Sequence, residues 1–520
     1  MRILFEMKNP TLPAVMIAGL GLIMALSLTS LLGAGVSTDA VNYVSTAENL
    51  VSGDGFTNFE GDLYVLWPPL YPMVLAVPDA VFNLDPVVFG AALNALAFAG
   101  IILLTSLLAR RVLEFDLFLS SLAAAATLLS APTFSVSVNI GSDPLFIVFM
   151  LSFLLLFERH TRRTDRSSLT GMILVCALAS LQRYIGATLV LTGFIGILYA
   201  RRAEWRSALI EAFTFASLSS LPLVVWLARN YSVSGTFLGV RDPSTWRPNE
   251  NLQDIALKAS RWFVPYQLSS QPVFWAAVGV LLVILLGLNY RRRLRSVKVS
   301  APRPITLVLV LFSIIYLSAM VVLTKSVDHK NIFYDDRLYL PAFFSLLLLA
   351  VLFLRRMVFP LAEGSGAPAG RSVVIGVCLL WLLFPAYGLY KFWLRSINNG
   401  GIAYYNIYNA PAYRDSAVTL HLEPWTADPS TTVFSNYPAA VYLSTRRIVR
   451  SLPGRTDFFG AATPLEGFAG EWPGGSPAVL VWYQPNTKRN LYTLPELAKL
   501  ARFQPVFTSE EGAIYKIEAR

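Results

Sequence analysis

The sequence carries little charge. Only 14% of its 520 residues are Asp, Glu, Lys or Arg, whereas a soluble globular chain carries about 25%. Hydrophobic residues make up 55% of the chain, and the mean hydropathy is +0.55. This balance excludes a disordered protein and an ordinary soluble enzyme. It indicates instead that apolar segments cross a lipid bilayer.

Cysteine and histidine are also scarce. The two cysteines, Cys176 and Cys378, both fall inside apolar segments. This placement excludes a disulfide scaffold and predicts that both are small core residues. The three histidines, His160, His329 and His421, lie far apart in the sequence. A histidine-rich metal site is therefore not expected.

Long apolar runs account for the missing charge. The first, Leu12–Leu32, is too long for a signal-peptide core of ~7–15 residues, so we interpret it as an uncleaved helix. Further runs lie at 87–109, 116–138, 143–158, 168–182, 184–200, 207–228, 272–290, 304–323, 338–354 and 372–392. The sequence thus predicts a polytopic α-helical membrane protein with about 11 transmembrane helices.

The charge of the loops predicts the orientation. Residues 35–85 contain seven acidic residues and no Lys or Arg, whereas alternate loops are basic, as at Arg110-Arg111 and Arg291-Arg292-Arg293. The positive-inside rule puts the basic loops and the N-terminus in the cytoplasm, and 35–85 outside a plasma (inner) membrane. The net charge of +10 is then mostly cytoplasmic anchoring, so no nucleic-acid partner is expected.

The composition changes near residue 395. Residues 1–395 form the predicted membrane domain, and residues 396–520 are rich in Pro, Gly, Asn and mixed charges. An odd number of spans places the second region outside the membrane. Strands are predicted at Thr431–Ser435, Ala478–Tyr483 and Ala513–Ile517, and helices at Ala412–Leu422, Pro438–Leu443 and Leu494–Ala501. This alternation predicts a C-terminal extracytoplasmic α/β domain.

Outer loop 35–85 is the richest segment in polar residues. Its apolar residues from Ala40 onward follow i, i+3, i+4, i+7 spacing up to Gly53. This pattern predicts a short amphipathic helix over 40–52, lying on the membrane surface. Asp39 stands at its start, where the carboxylate either caps the helix or acts as a general base on a hydroxyl. The prolines of Trp67-Pro68-Pro69-Leu70-Tyr71-Pro72 predict a second short helix.

A second acid and several cations share the predicted outer face. Asp143 stands at the outer start of the fourth span, where an N-cap followed by Pro144 is the structural alternative to a functional role. Guanidinium groups hold phosphate oxygens bidentately. The cations at outer helix ends are Arg183, Arg229, Arg241, Arg337 and Lys330. Each could instead pair with an acid or reach the lipid headgroups, but together they predict an anion-handling surface.

These segments, taken in order, resemble the GT-C superfamily of integral-membrane glycosyltransferases. The likeness is greatest to the branch with bacterial aminoarabinose transferases and protein O-mannosyltransferases. The motifs that carry it are Ser37-Thr38-Asp39-Ala40, Tyr43, Ala47-Glu48-Asn49-Leu50, Pro68-Pro69-Leu70-Tyr71-Pro72, Asp143-Pro144-Leu145-Phe146, Arg183-Tyr184-Ile185-Gly186, Arg229-Asn230-Tyr231, Gly239-Val240-Arg241, Asp336-Arg337-Leu338-Tyr339 and Ser435-Asn436-Tyr437-Pro438. One departure is Ala40, since many members carry a second acid after the first-loop Asp.

The resemblance implies an inverting glycosyltransferase. Such an enzyme moves a sugar from a polyprenyl-phosphate donor to a glycan, lipid or protein acceptor at the outer face. Asp39 maps onto the catalytic base. The candidates for holding the donor phosphate are Arg337, Arg183, Arg241 and Lys330, and those for lining the substrates are Tyr43, Trp67, Tyr71 and Asp336. Because the base and the phosphate ligand must reach one sugar-phosphate, we expect Asp39 and Arg337 to lie within about 15 Å of each other.

The cofactor and the alternatives remain open at this stage. Members that use lipid monophosphate donors need no metal, so no cofactor is required. A divalent cation between Asp39 and Asp143, as in oligosaccharyltransferases, is possible only if the two carboxylates converge. One alternative is a polymerase or ligase acting on lipid-diphosphate glycans. Another is a transporter or flippase for a lipid-linked glycan, although the spans carry few of the charges that would line a path. A third is an assembly protein whose outer domain binds partners.

Overall fold

The computed structural model describes most of the chain. It covers residues 11–519 apart from 115, 164, 240–247, 294–302, 324–335, 364–368, 404–406, 457–461, 475–476, 487 and 489. Three of the residues discussed above, Arg241, His329 and Lys330, therefore lie outside the described residues. Asp336 begins a 3₁₀ turn that ends at Leu338, and its side chain is also outside the description.

Helices fill the first four hundred residues. They are α1 Leu12–Leu32, α2 Thr38–Ser52, α3 Leu70–Phe82, α4 Pro86–Val112, α5 Leu117–Leu129, α6 Ala131–Ser137, α7 Asp143–Arg163, α8 Arg166–Gln182, α9 Ala187–Ala200, α10 Trp205–Ser234, α11 Pro248–Arg261, α12 Tyr266–Ser269, α13 Pro272–Arg293, α14 Pro304–Leu323, α15 Leu340–Phe353, α16 Phe359–Glu363, α17 Ala369–Trp381 and α18 Leu383–Asn398. Each of the eleven predicted apolar runs coincides with one of these helices or with a pair of them.

The helices identify an integral membrane protein. Within the described residues, seven helical stretches are long and apolar enough to cross a bilayer: Leu12–Leu32, Pro86–Val112, Asp143–Arg163, Arg202–Ser234, Pro304–Leu323, Leu340–Ala362 and Gly370–Asn398. An eighth is the pair α5 and α6, which is bent by 59°. Helices α8 and α9 and the apolar part of α13 are shorter. The count of eleven spans thus stays a prediction, and the polytopic architecture is confirmed.

The basic loops and the two predicted site acids lie at opposite ends of the helix bundle, since α7 begins at Asp143 and ends at Arg163. At one end, the Arg162 side chain donates to the backbone carbonyl of Arg111, and Arg201 pairs with Glu211. Asp39 and Asp143 stand instead at the starts of α2 and α7. Cys176 and Cys378 are free and buried among the helices, as predicted. The basic loops and the outer acids are thus segregated, while the direction of the chain in the membrane stays a prediction.

The C-terminal region forms a five-stranded sheet with short helices. Its elements are α19 Pro411–Arg414, α20 Ala417–Leu420, α21 Glu423–Thr426, β1 Thr432–Ser435, α22 Pro438–Thr445, β2 Val449–Ser451, β3 Ala478–Tyr483, α23 Leu494–Leu497, β4 Ala501–Ser509 and β5 Gly512–Ala519. The strand order is β2-β1-β3-β5-β4. β1 is parallel to β2 and β3, whereas β5 is antiparallel to β3 and β4.

The three predicted strands are confirmed as β1, β3 and β5. The predicted helix 412–422 is instead two single turns, because the Ser416 side chain caps a new start at α20. The predicted helix 494–501 ends at Leu497, because residues from Ala501 pair with β5. Sequence patterns missed β4, which contains Pro505 at a register shift. Proline is tolerated there because β4 is an edge strand.

The C-terminal region, which the sequence predicts to be an outer domain, packs against α2. The predicted amphipathic helix exists, as Thr38–Ser52, but every residue from Ala40 to Ala47 is buried. Its second face is covered because Glu48 reaches α22, where it pairs with Arg446 at 2.8 Å and accepts from the Tyr442 hydroxyl. The helix itself is confirmed, and its position on the membrane surface stays a prediction. α2 is packed between the helix bundle and the C-terminal region.

Candidate active site

Two acid–base pairs meet where α2 and α7 begin. Arg337 donates from Nη2 to Asp39 Oδ2 at 2.7 Å, although the two residues are 298 positions apart. Arg183, which follows α8, pairs with Asp143 at the first turn of α7. A small cleft lies between the pairs and is lined by Ser37, Val136, Asn139, Ile140, Gly141, Asp143 and Arg337. The predicted proximity of Asp39 and Arg337 is thus observed.

Neither acid serves as the predicted helix cap. Ser37 is the N-cap residue of α2, and its side chain makes no capping hydrogen bond. Asp39 lies two residues further along and turns its carboxylate to Arg337. Asp143 is the first residue of α7, and its carboxylate accepts from Arg183. Both acids therefore pair with arginines that are distant in the sequence. Their negative charges are also stabilised by the positive N-terminal ends of the dipoles of α2 and α7.

The two pairs differ in burial. The side chains of Asp143 and Arg183 are 7% and 17% exposed, whereas those of Asp39 and Arg337 are 26% and 22% exposed. A buried ion pair is costly to break, because one charge is then left without a partner. A partly exposed pair exchanges its partner for water or a ligand at a smaller cost. Asp143–Arg183 therefore resembles a fixed support, and Asp39–Arg337 an exchangeable contact.

Tyr43 lies close to both pairs and is influenced by Asp39 and Arg183. It lies one helical turn after Asp39, and its hydroxyl is 3.4 Å from Ser142 Oγ, which also accepts from Arg183 Nη1 at 3.4 Å. Burial raises the pKa of the Tyr43 hydroxyl; Asp39 raises it further, whereas Arg183 lowers it. The phenol therefore stays protonated at neutral pH. It provides a neutral hydrogen-bonding group between two charged pairs.

Tyr71 supports the site without lining it. Its side chain is fully buried, and its hydroxyl accepts from the Gly141 amide at 3.2 Å and donates to Asn94 Oδ1 at 3.3 Å. The expectation that Tyr71 lines the substrate is thus corrected, because its polar atom is used within the fold. Trp67 is partly exposed and packs edge-on against Tyr43, with ring centroids 6.1 Å apart. It remains a candidate for substrate contact.

Arg229 makes its contacts away from the two acid–base pairs. It donates to the Tyr64 carbonyl at 3.0 Å and stacks over Trp226, with 4.8 Å between the guanidinium carbon and the ring centroid. These contacts anchor loop 35–85 to the end of α10. Arg229 is therefore not grouped with Arg183 and Arg337. Of the predicted cations, Arg337 lines the cleft and Arg183 pairs with Asp143, which also lines it. Arg241 and Lys330 lie outside the described residues.

Sequence reasoning missed the polar scaffold behind the cleft. Asn94, within α4, donates to the carbonyls of Asn139 at 2.7 Å and Gly141 at 3.1 Å. Gln182 donates to the Ser142 carbonyl at 3.0 Å. Together they fix the turn between α6 and α7, on which Asp143 depends. An asparagine inside an apolar span was the available signal for Asn94.

Sequence reasoning also missed a buried cation. Lys258 on α11 is 1% exposed, pairs with Asp254 at 2.9 Å and lies 4.8 Å from the centroid of the Tyr339 ring. Tyr339 follows Arg337 by two residues. The structure therefore brings another positive side chain toward the segment that carries Arg337. No pattern in the sequence predicts that α11 contacts the segment that carries Arg337.

Among the described residues, no group of three or more His, Cys, Asp or Glu side chains is arranged to hold a metal ion. Asp39 and Asp143 each face an arginine instead of a shared ligand. A cation between the two carboxylates would have to displace at least one of these arginines. The charged residues that line the cleft are one acid and one arginine, Asp143 and Arg337, and a guanidinium group is suited to binding an anion.

Comparison with known proteins gives the fold. No protein-family model matches the chain, and a search of curated proteins finds no relative. Among solved structures, the chain is similar to ArnT from Cupriavidus metallidurans in the apo state, with 16% identity, 96% of this chain and 97% of that chain covered, and a TM-score of 0.60. The same protein bound to undecaprenyl phosphate gives 15% identity, the same coverage and a TM-score of 0.57. The chain therefore has the fold of ArnT, which is the fold that the resemblance of its motifs implied.

Proposed function

We propose that this protein is an inverting glycosyltransferase that moves a sugar from a polyprenyl-phosphate donor to an acceptor at the outer face of the membrane. The observation that carries the proposal is the partly exposed contact between Asp39 and Arg337, since Arg337 also lines the cleft. Its support includes the ArnT fold, since ArnT itself has been solved with undecaprenyl phosphate bound.

The two groups have complementary tasks. Arg337 binds the donor phosphate, because a guanidinium group matches phosphate oxygens bidentately and is always charged. The phosphate competes with Asp39 for the same guanidinium group. Once Arg337 turns to the phosphate, the carboxylate of Asp39 is released to accept a proton. This exchange requires a contact that is not deeply buried, as observed at 26% and 22% exposure.

The reaction then proceeds in one displacement. The acceptor hydroxyl gives its proton to Asp39 while its oxygen forms a bond to the anomeric carbon of the sugar. The bond from that carbon to the phosphate oxygen breaks with its electron pair, and polyprenyl phosphate leaves. Arg337 stabilises the negative charge that develops on this leaving group. Attack on the face opposite the phosphate inverts the anomeric centre.

Asp143 and Arg183 have a supporting task in this scheme. Their pair is buried. If Arg183 left Asp143 to bind the donor phosphate, the Asp143 carboxylate would keep a buried charge without a partner. We therefore assign Arg183 to the support of the cleft, and Arg337 to the phosphate. Arginines supply the positive charge at the donor, so the proposal includes no metal, and the assays below are run in EDTA.

The test is transfer by the purified protein in lipid nanodiscs, using a panel of polyprenyl-phosphate sugars with glycan, lipid and peptide acceptors. We expect product with at least one donor, and a loss of about 10²–10⁴-fold in kcat for Asp39→Asn, the usual range for a general base. Asp62→Asn is the matched control, because Asp62 is an exposed acid of the same loop. Unchanged transfer by Asp39→Asn would exclude Asp39 as the base.

The same panel separates the alternative functions. A transporter or flippase would move a lipid-linked glycan between leaflets without forming a new glycosidic bond. A polymerase or ligase would accept lipid-diphosphate donors and reject lipid monophosphates. Product from monophosphate donors alone favours the proposed enzyme. Failure of every donor in the wild-type protein would refute it.

A further inference from the structure

The chain just before Asp39 lies between two other segments. Residues 34–36 are flanked by 138–140 on one side and 408–409 on the other, and we name these three segments the junction ribbon. Gly35 donates to the Val138 carbonyl at 3.0 Å and accepts from the Ile140 amide at 2.9 Å. The Tyr408 amide donates to the Val36 carbonyl at 2.9 Å. The ribbon therefore joins the membrane domain to the C-terminal region.

Asn409 completes the outer edge of the ribbon. Its Oδ1 accepts from the Val36 amide at 3.0 Å, and its Nδ2 donates to the Ala34 carbonyl at 2.6 Å. One side-chain amide thus satisfies a backbone donor and a backbone acceptor, as a neighbouring strand would. Tyr408 adds a contact to α2 itself, since its hydroxyl accepts from Thr38 Oγ1 at 3.3 Å.

The ribbon sets the distance between the two acids. Asp39 comes three residues after Val36, and Asp143 comes three residues after Ile140. The starts of α2 and α7 are therefore fixed to each other through Gly35. A larger residue at position 35 would force the Asn139 side chain to move, because an added Cβ atom would lie 1.9 Å from Asn139 Oδ1. A shift of α2 would move the Asp39 carboxylate relative to the cleft.

We infer that Asn409 is a positioning residue for Asp39, and that the C-terminal region completes the active site through it. This inference rests on the proposed function. Asn409 touches no substrate; it acts by holding residues 34–36 against 138–140. A misplacement of about 1 Å in a reacting group can lower the rate by about 100-fold. The loss should therefore appear in kcat and leave substrate binding unchanged.

The chain contains a matched control. Asn436 makes the same two-way contact inside the outer domain, accepting from the Tyr483 amide at 2.9 Å and donating to its carbonyl at 2.9 Å. Asn409→Asp and Asn436→Asp each keep the acceptor and remove the donor. The two variants therefore lose the same kind of hydrogen bond. Only Asn409 lies in the ribbon.

We expect Asn409→Asp to lower kcat about 10- to 100-fold, with both KM values within about 3-fold of the wild type. Asn436→Asp should keep kcat within about 3-fold of the wild type. Its melting temperature should fall by at least as much as that of Asn409→Asp. Gly35→Ala, which disturbs the ribbon from within the membrane domain, should reproduce the kcat loss. Equal kcat values for the two aspartate variants, or a rise in acceptor KM alone, would overturn the inference.

A measurement without catalysis completes the test. Amide hydrogen exchange should rise in residues 34–41 of Asn409→Asp and Gly35→Ala, and should stay unchanged there in Asn436→Asp. Unchanged exchange in Asn409→Asp would overturn the inference whether or not the enzyme assay works. Absence of transfer by the wild-type protein would count against the proposed function alone. The two failures are thus distinguishable.

Discussion

The buried pair Asp143–Arg183 offers a sharp test of how the site is supported. Asp143→Asn removes the negative charge and leaves Arg183, which is only 17% exposed, as an unpaired cation. Removing one partner of a buried pair costs about 3–5 kcal/mol in the free energy of unfolding. Because arginine keeps its proton, it cannot escape this cost by becoming neutral.

The reverse change should cost less. Arg183→Gln leaves Asp143 without its cation, but a buried carboxyl group can take up a proton and become neutral. The double variant Asp143→Asn with Arg183→Gln leaves no charge unpaired, so most of the lost stability should return. The partly exposed Asp39 provides the comparison, since Asp39→Asn should change stability by only about 0–1 kcal/mol.

The assay is unfolding of the purified protein in mixed micelles by a denaturing detergent, with melting temperatures as a second ranking. We expect the order of stability to be wild type, double variant, Arg183→Gln, then Asp143→Asn. The reasoning fails if Asp143→Asn lies within about 1 kcal/mol of the wild type, since the measured cost for buried pairs is larger. It also fails if the double variant is the least stable of the set.

Two further predictions concern the donor and the outer domain. Arg337→Ala should raise the KM for the lipid donor far more than that for the acceptor, and equal effects would indicate a structural ion pair instead. Hydrogen bonds from Thr493, with Arg455 nearby, lower the pKa of Glu496 to about 2. Its stabilising contribution is therefore present above the ordinary pKa near 4.5 and lost as the pH falls toward 2. In Glu496→Gln, the free energy of unfolding of the C-terminal region should therefore depend less on pH in that range than it does in the wild type. An unchanged pH dependence of unfolding would contradict this.

Local sequence patterns predicted the helices and one half of the site. Asp39 could be found because it follows an apolar span and opens an amphipathic helix. Its partner Arg337 could be proposed only from the resemblance, since the two residues are 298 positions apart. No local rule reports which of several outer arginines reaches a given acid. The structure shows that Arg183 pairs with Asp143 and that Arg337 pairs with Asp39.

The remaining errors have a common physical origin, which is tertiary burial. α2 was expected to be amphipathic, with one apolar face, but the C-terminal region contacts its other side through Tyr442 and Arg446. Lys258 lies on a polar helix, yet its ammonium group is buried over the Tyr339 ring. Tyr71 was expected to meet the substrate, and it holds Gly141 instead. An amphipathic pattern predicts that the apolar face of a helix is buried. It does not predict that another part of the fold also covers the polar face.

The junction ribbon also bears on the order of events during synthesis. A chain emerges from the ribosome with its N-terminus first, and domains generally fold as they appear. Asp39 and Asp143 are made early, but Asn409, which holds the segment before Asp39, is made some 370 residues after it. The nascent protein therefore inserts its helices before the segment that precedes Asp39 has made its contacts with Asn409. If Asp39 is the base, as proposed, transfer begins only when the last quarter of the chain has been made and has docked.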